Sequence, residues 1–227
     1  MKYLFLFDID GTLVKGFHAH HKAFINSIKK IFNIDTTIEM YQYHGSTDLY
    51  IIYDVLAKNK IPIEMIDRQL DRIKDEMIKI YEKEVLKEKI QVLSGALEVL
   101  NLIKNRNEGL GLVTGNLSKI AYLKLKQVYL SNYFPIGGFG ETSKLRLKLI
   151  LKAIKEAEKY YGLNFNNEDI YIIGDTPRDI DAAHQAHVNA ISIASGMYRR
   201  EDLIKNNPKY VFNDLLGFLE TLENDFF

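Results

Sequence analysis

Tyr3-Leu4-Phe5-Leu6-Phe7-Asp8-Ile9-Asp10-Gly11-Thr12-Leu13-Val14 is an apolar run that stops at two carboxylates and a glycine. Five consecutive apolar residues are what a strand buried on both faces of a parallel sheet requires. The acids then fall just past the strand's carboxyl end, where open α/β sheets place their ligands. Gly11 lets the chain turn sharply over them. The run meets Asp8 too soon for a signal-peptide core, and no later segment approaches the roughly 20 apolar residues of a membrane span.

Working outward, four more short apolar runs end at small or polar residues: 110–113, 136–139, 170–173 and 190–193. Helical-period segments lie between most of them, at 97–104, 119–129, 147–161 and 180–186. Alternating strand and helix predicts an α/β fold with a doubly wound parallel sheet. Residues 210–214 and 215–222 read as a last edge strand and a closing helix. The interval 15–87 breaks the alternation, showing only helical patterns at 22–31, 48–58 and 63–86. We therefore expect a core of residues 1–14 and 88–227 with an inserted helical domain at 15–87. The charge-dense stretch 67–89 reads as a solvated helix face.

Thirty basic residues balance thirty acidic ones, so no global field draws the chain to nucleic acid or an anionic membrane, while a local basic pocket stays open. The absence of cysteine excludes disulfides, thiol catalysis and cysteine metal sites, and leaves the cytoplasm as the default compartment. A monomer is the default assembly.

Two further strand ends carry candidate chemistry. Thr114-Gly115-Asn116 follows the second strand and offers a hydroxyl and closely spaced amides near a helix start, a geometry that suits phosphate. Gly174-Asp175-Thr176-Pro177-Arg178-Asp179-Ile180-Asp181 follows the fourth. Asp175 could ligate Mg²⁺ together with Asp8, because magnesium prefers a few carboxylates plus phosphate oxygens. Asp179, one helical turn on, would buttress that site, and Asp181 points elsewhere around the helix. Of His18, His20 and His21, only the first and last share a helix face. A contact with substrate near the entrance to the helical insertion is livelier for one of them than a metal site.

These residues, in this order along nearly the whole chain, resemble the haloacid dehalogenase superfamily of hydrolases. The likeness is to the branch of phosphoglycolate phosphatases and β-phosphoglucomutases, which carries a helical cap of the first type. Asp8-Ile9-Asp10-Gly11-Thr12 matches the first motif, Thr114 the second, and Gly174-Asp175 through Asp179 the fourth. His44-Gly45-Ser46-Thr47-Asp48 resembles the Gly-x-Thr-Asp stretch common in such caps. The third motif, a single cation, has three candidates in Ser143-Lys144-Leu145-Arg146-Leu147-Lys148. Lys144 fits the usual lysine spacing and is slightly favoured. Arg146 fits an arginine-bearing variant seen after Gly-Phe-Gly, and Lys148 comes third.

The resemblance implies a phosphatase. Asp8 would attack phosphorus to give an aspartyl-phosphate, while Asp10 protonates the leaving oxygen and then deprotonates the hydrolytic water. Mg²⁺ would be held by Asp8, the main-chain carbonyl of Asp10 and Asp175. Thr114 and the third-motif cation would hold phosphate oxygens. The substrate would be a small phosphorylated metabolite, with phosphoglycolate, sugar phosphates and nucleotides all open. The cap would open and close about 15–17 and 88–94.

Rival readings divide on single residues. Dehalogenases of the family lack the second aspartate, so Asp10 argues against dehalogenation. The sugar-phosphate mutases carry a histidine placed like His20, but need a cap arginine where this chain has Asp48, which makes a mutase the runner-up. A phospho-accepting signalling module would put its acceptor on a middle strand of the chain and lack the insertion. A silent phosphate-binding relative would not need acids at 8, 10, 175 and 179.

Overall fold

The computed structural model describes residues 1–224. From the amino terminus the elements are β1 (Leu4–Phe7), β2 (Val14–Lys15), α1 (His18–Phe32), α2 (Asp48–Lys58), α3 (Ile63–Glu84), β3 (Gln91–Val92), α4 (Ala96–Asn105) and β4 (Gly109–Val113). They continue with α5 (Ser118–Gln127), β5 (Gly137–Gly138), α6 (Arg146–Tyr161), β6 (Ile170–Gly174), α7 (Pro177–Gln185), β7 (Asn189–Ile193), α8 (Arg200–Ile204), β8 (Tyr210–Phe212) and α9 (Leu215–Glu223).

Six strands form one parallel sheet in the order β5-β4-β1-β6-β7-β8. The first strand in the chain is thus central in space, with Phe7 paired to Leu112 on one side and Ile173 on the other. That register sets Asp8, Val113 and Gly174 side by side at the carboxyl edge. The period of two divides β1 cleanly: Phe5 and Phe7 pack with α4, α5 and α9 on one face, and Leu4 and Leu6 pack with α6, α7 and α8 on the other. The doubly wound sheet expected from the alternation is the observed one.

Helices α1, α2 and α3 build a separate apolar cluster around Phe24, Ile28, Ile52, Ile73 and Met77, which Leu117 and Ile120 join from the start of α5. Pattern reading missed a small feature at their base. The chain enters the helices through β2 and leaves them through β3, and the two pair antiparallel, Val14 with Val92 and Lys15 with Gln91. Glu88, on the exit, accepts the first-turn amides of α1 from His18 at 2.8 Å and Ala19 at 3.1 Å. It thus satisfies donors that α1, with no side-chain cap of its own, would leave open.

Element ends shift for local reasons. Helix α7 begins at Pro177, not at Ile180, because Thr176 and Asp179 form a capping box and proline is tolerated in the first turn. Only Gly137 and Gly138 of the run 136–139 pair as a strand, and the short α8 has too few residues to show a period. No helix among the described residues is long and apolar enough to cross a membrane.

Candidate active site

The ends of β1 and β4, with the start of α6, form the floor of a cavity of about 90 Å³, and the end of β6 lies beside β1. The helical insertion supplies its wall. Asp8, Asp175 and Asp179 are buried, with carboxylate oxygens within 4.8 Å of one another. Gly11 sits at φ +85°, and a Cβ on it would lie 2.3 Å from Asp175 Oδ2; one on Gly196 would lie 1.7 Å from the same atom. Main chain therefore wraps the Asp175 carboxylate where any side chain would collide with it. Thr12 donates its hydroxyl to Asp175 at 3.3 Å.

Arg146, the first residue of α6 and itself buried, lies between these acids. Its Nη2 is 2.5 Å from Asp179 Oδ1 and 3.1 Å from Asp8 Oδ1, and it also donates to the carbonyls of Val113 and Gly45. The other oxygen of Asp179 accepts from Thr176, amide and hydroxyl alike. Burial pushes the Asp8 carboxyl up to about 6, against the pull of Arg146 and with repulsion from Asp179 and Asp10. Asp175 is raised well above the usual range, first by burial and then by Asp8 and Asp179. Arg146, though desolvated, is held above its ordinary value by the three acids around it.

Asp10 is in a different state two residues away. Burial acts to raise it, but Lys124 holds it below its ordinary value, with Nζ 2.7 Å from both carboxylate oxygens. Asn116 adds a hydrogen bond to Asp10 Oδ2 at 2.8 Å and accepts from Lys124 at 3.0 Å. Lys124 is 0% exposed. The sequence reading passed over it because Leu123-Lys124-Leu125-Lys126 looks like charged surface. A signal was present all the same: Ile120, Ala121 and Leu125 define the buried stripe of α5, and Lys124 lies on it, four residues after Ile120.

The remaining sequence candidates separate. Gly115 and Asn116 line the cavity, whereas the Thr114 hydroxyl is fully buried and accepts from the Asn116 side chain at 2.7 Å. Lys144 lies outside the acid cluster, with Nζ 3.1 Å from the centre of the Tyr53 ring, and Lys148 is exposed on α6. Of the three third-motif candidates, only Arg146 is brought to Asp8. Asp181 is exposed on α7.

On the wall, His20 is buried, stacks on Phe24 and places Nε2 3.1 Å from Asp48 Oδ2. His18 is exposed beside Glu88, and His21 faces the carbonyl of Ile38. Asp48 opens α2 and is tied to the floor twice: its carboxylate accepts from Leu117 N–H at 2.8 Å and its own N–H donates to Gly115 O at 2.7 Å. The approach is so close that a Cβ on Gly115 would lie 2.0 Å from the Ser46 carbonyl oxygen.

The arrangement offers a buried carboxylate in reach of a guanidinium, a second one beside it held by a buried lysine, and a three-carboxylate nest. The family described as haloacid dehalogenase-like hydrolase matches residues 5–193. A protein of Caldanaerobacter subterraneus named "Putative pyrophosphatase PpaX" is 24% identical over 221 residues, spanning 96% of this chain and 93% of that one. Among solved structures, a hydrolase from Pseudomonas syringae superposes with a TM-score of 0.75 at 23% identity, covering 99% of each chain. A "Putative beta-phosphoglucomutase" from Bacteroides vulgatus gives 0.71 at 21% identity, covering 98% of this chain and 88% of that one. These structural likenesses are likenesses of fold.

Proposed function

The chain belongs to the haloacid dehalogenase-like hydrolases, and from that premise we propose that it is a Mg²⁺-dependent phosphatase acting on a small phosphate monoester. The observation that carries the reading is the pairing of Asp8 with Arg146 beside a separately held Asp10. A nucleophile next to a cation, with an acid/base group of its own, is the equipment of two-step phosphoryl transfer.

Asp8 attacks phosphorus, and the bond from phosphorus to the leaving oxygen breaks as Asp10 gives that oxygen a proton. Water then attacks the aspartyl-phosphate, Asp10 takes the proton, and Asp8 is released with inorganic phosphate. Asp10, held low by Lys124, is ready for the second step. For the first, the negative charge of the arriving phosphate raises its proton affinity. Arg146 orients Asp8 and offsets charge on the transferred group. Gly115 and Asn116 line the space for the phosphate, and Thr114 acts through Asn116.

The three-carboxylate nest fits a divalent cation, since like charges this close in a dry site raise one another's proton affinity and a hard cation relieves them. Asp8, Asp175 and the main-chain carbonyl of Asp10 would hold Mg²⁺, with Asp179 as the third carboxylate. When bound, the ion supplies charge neutralisation to the transferred phosphoryl group. Residues 15–87 act as a cap that opens about β2 and β3 to admit substrate. The relatives' names support phosphorus–oxygen chemistry, and the carboxylate of Asp48 on the wall speaks for hydrolysis over the mutase reading.

Release of phosphate from para-nitrophenyl phosphate with and without Mg²⁺, in the natural chain and in Asp8→Asn, tests this. We expect metal-dependent turnover that the substitution abolishes. Equal rates in both proteins would overturn the reading.

A further inference from the structure

The wall of the cavity carries its own information about the group that leaves with the oxygen. Phe17, His20, Tyr43, His44, Ser46 and Asp48 face the floor from the insertion. No lysine or arginine is among them, and the one charged side chain is a carboxylate, 2% exposed and fixed by Leu117 and His20. The floor adds no spare cation. Arg146 is engaged by Asp8 and Asp179, and Lys124 is wholly occupied by Asp10 and Asn116. Burial favours the neutral imidazole of His44.

A second anionic group on the substrate would thus meet Asp48 in a desolvated space with nothing to pair it, and an unpaired buried charge is strongly disfavoured. Hydroxyl groups find the opposite. Asp48 and His20 can accept or share hydrogen bonds, and Ser46 Oγ is buried with no hydrogen-bond partner among the described residues. An orphan hydroxyl on a cavity wall is a costly arrangement that a polar ligand atom relieves. The space of about 90 Å³ holds several water-sized groups by the same measure. It is too small for a nucleoside beside the phosphate.

Resting on the phosphatase reading, we propose that the released alcohol is a short polyol without a second anionic group, selected by Asp48 and Ser46. Pyrophosphate and carboxylate-bearing phosphate monoesters are then poor substrates. This departs from the activity in the name of the Caldanaerobacter relative, with which the chain shares 24% identity.

The test is a matched pair. Glycerol 3-phosphate and 3-phosphoglycerate share one skeleton and differ in a terminal hydroxymethyl against a carboxylate. The kcat/KM ratio should favour glycerol 3-phosphate by at least about 30-fold, the scale of discrimination that an unpaired buried group imposes. Pyrophosphate should fall with the carboxylate. Asp48→Asn should narrow the ratio. Because Asp48 also ties α2 to the floor, Ser46→Ala serves as the second variant and should raise KM for glycerol 3-phosphate by about 3- to 10-fold.

A ratio near one, a preference for 3-phosphoglycerate or pyrophosphate, or hydrolysis of para-nitrophenyl phosphate with neither pair member turned over would overturn the inference alone. Silence on para-nitrophenyl phosphate as well overturns the phosphatase reading and this inference with it.

Discussion

Asp8 and Asp175 on the floor crowd a third carboxylate, Asp179, which shares one guanidinium with Asp8, so burial and mutual repulsion lift Asp8 and Asp175 above the ordinary carboxylate range. Asp48 on the wall, just as buried, has a main-chain amide and an imidazole to itself. The floor is under electrostatic tension, which the proposed cation and phosphoryl group would relieve on binding. Asp48 is already paired, so the wall shapes what fits and gains little from an added cation. On the proposed reading, chemistry and selectivity fall to two carboxylate sites with opposite local arrangements.

Four outcomes would break or sharpen that contrast. Asp8→Asn keeps the volume of the floor but removes the proposed nucleophile, and turnover should fall by at least about 10⁴-fold; residual activity within tenfold of the natural chain would remove Asp8 from the chemistry. Arg146→Met should cost about 10²- to 10³-fold in kcat, while Lys144→Met, away from the acids, should change it by no more than about twofold by the same scale. The reverse order in steady-state kinetics would move the third-motif role to Lys144.

Lys124→Met leaves Asp10 without its cation. Thermal or urea unfolding should show a loss of about 2–3 kcal/mol, near the low end for breaking a buried pair because Asp10 is partly exposed. An unchanged midpoint would mean that Asp10 does not depend on Lys124.

The smallest effect concerns pH in the metal-free protein. Asp8 titrates at about 6 in the folded chain against about 3.9 in an unfolded one. Between those values the native state binds more protons, so stability is present in acid and lost as pH rises through about 6. Asp175 acts in the same direction. Asp10, held low, has the opposite sign, but its contribution changes only below the ordinary carboxylate range. The metal-free chain should therefore gain on the order of 1–2 kcal/mol from pH 7 to pH 5, and saturating Mg²⁺ should flatten the slope. A metal-free midpoint that falls over this interval would contradict the tension ascribed to the floor.

The floor was legible in the sequence because each acid follows an apolar run. A central β1 with β4 and β6 on either side carries local strand-end signals to one edge without further information. The cation was legible only as one of three candidates. Leu145 gives α6 no side-chain cap, so nothing in Ser143-Lys144-Leu145-Arg146-Leu147-Lys148 marks which charge stands at the helix start and reaches Asp8. Lys124 was hidden by the habit of reading lysine as solvent-facing, although its place on the α5 stripe was readable. The contact of His20 with Asp48 joins residues 28 apart on two helices. It depends on how α1 packs with α2, which periodicity within either helix does not encode.

The β2 and β3 pairing has a consequence for engineering. Departure and return of the chain lie on adjacent strands, about 5 Å apart across an antiparallel pair, so the whole stretch between them is topologically an exchangeable cassette. A foreign segment whose ends meet at one hairpin spacing could be spliced at Lys15 and Gln91 without re-routing the sheet. The graft would have to bring its own apolar cover for Leu117 and Ile120, whose present cover comes from the removed helices.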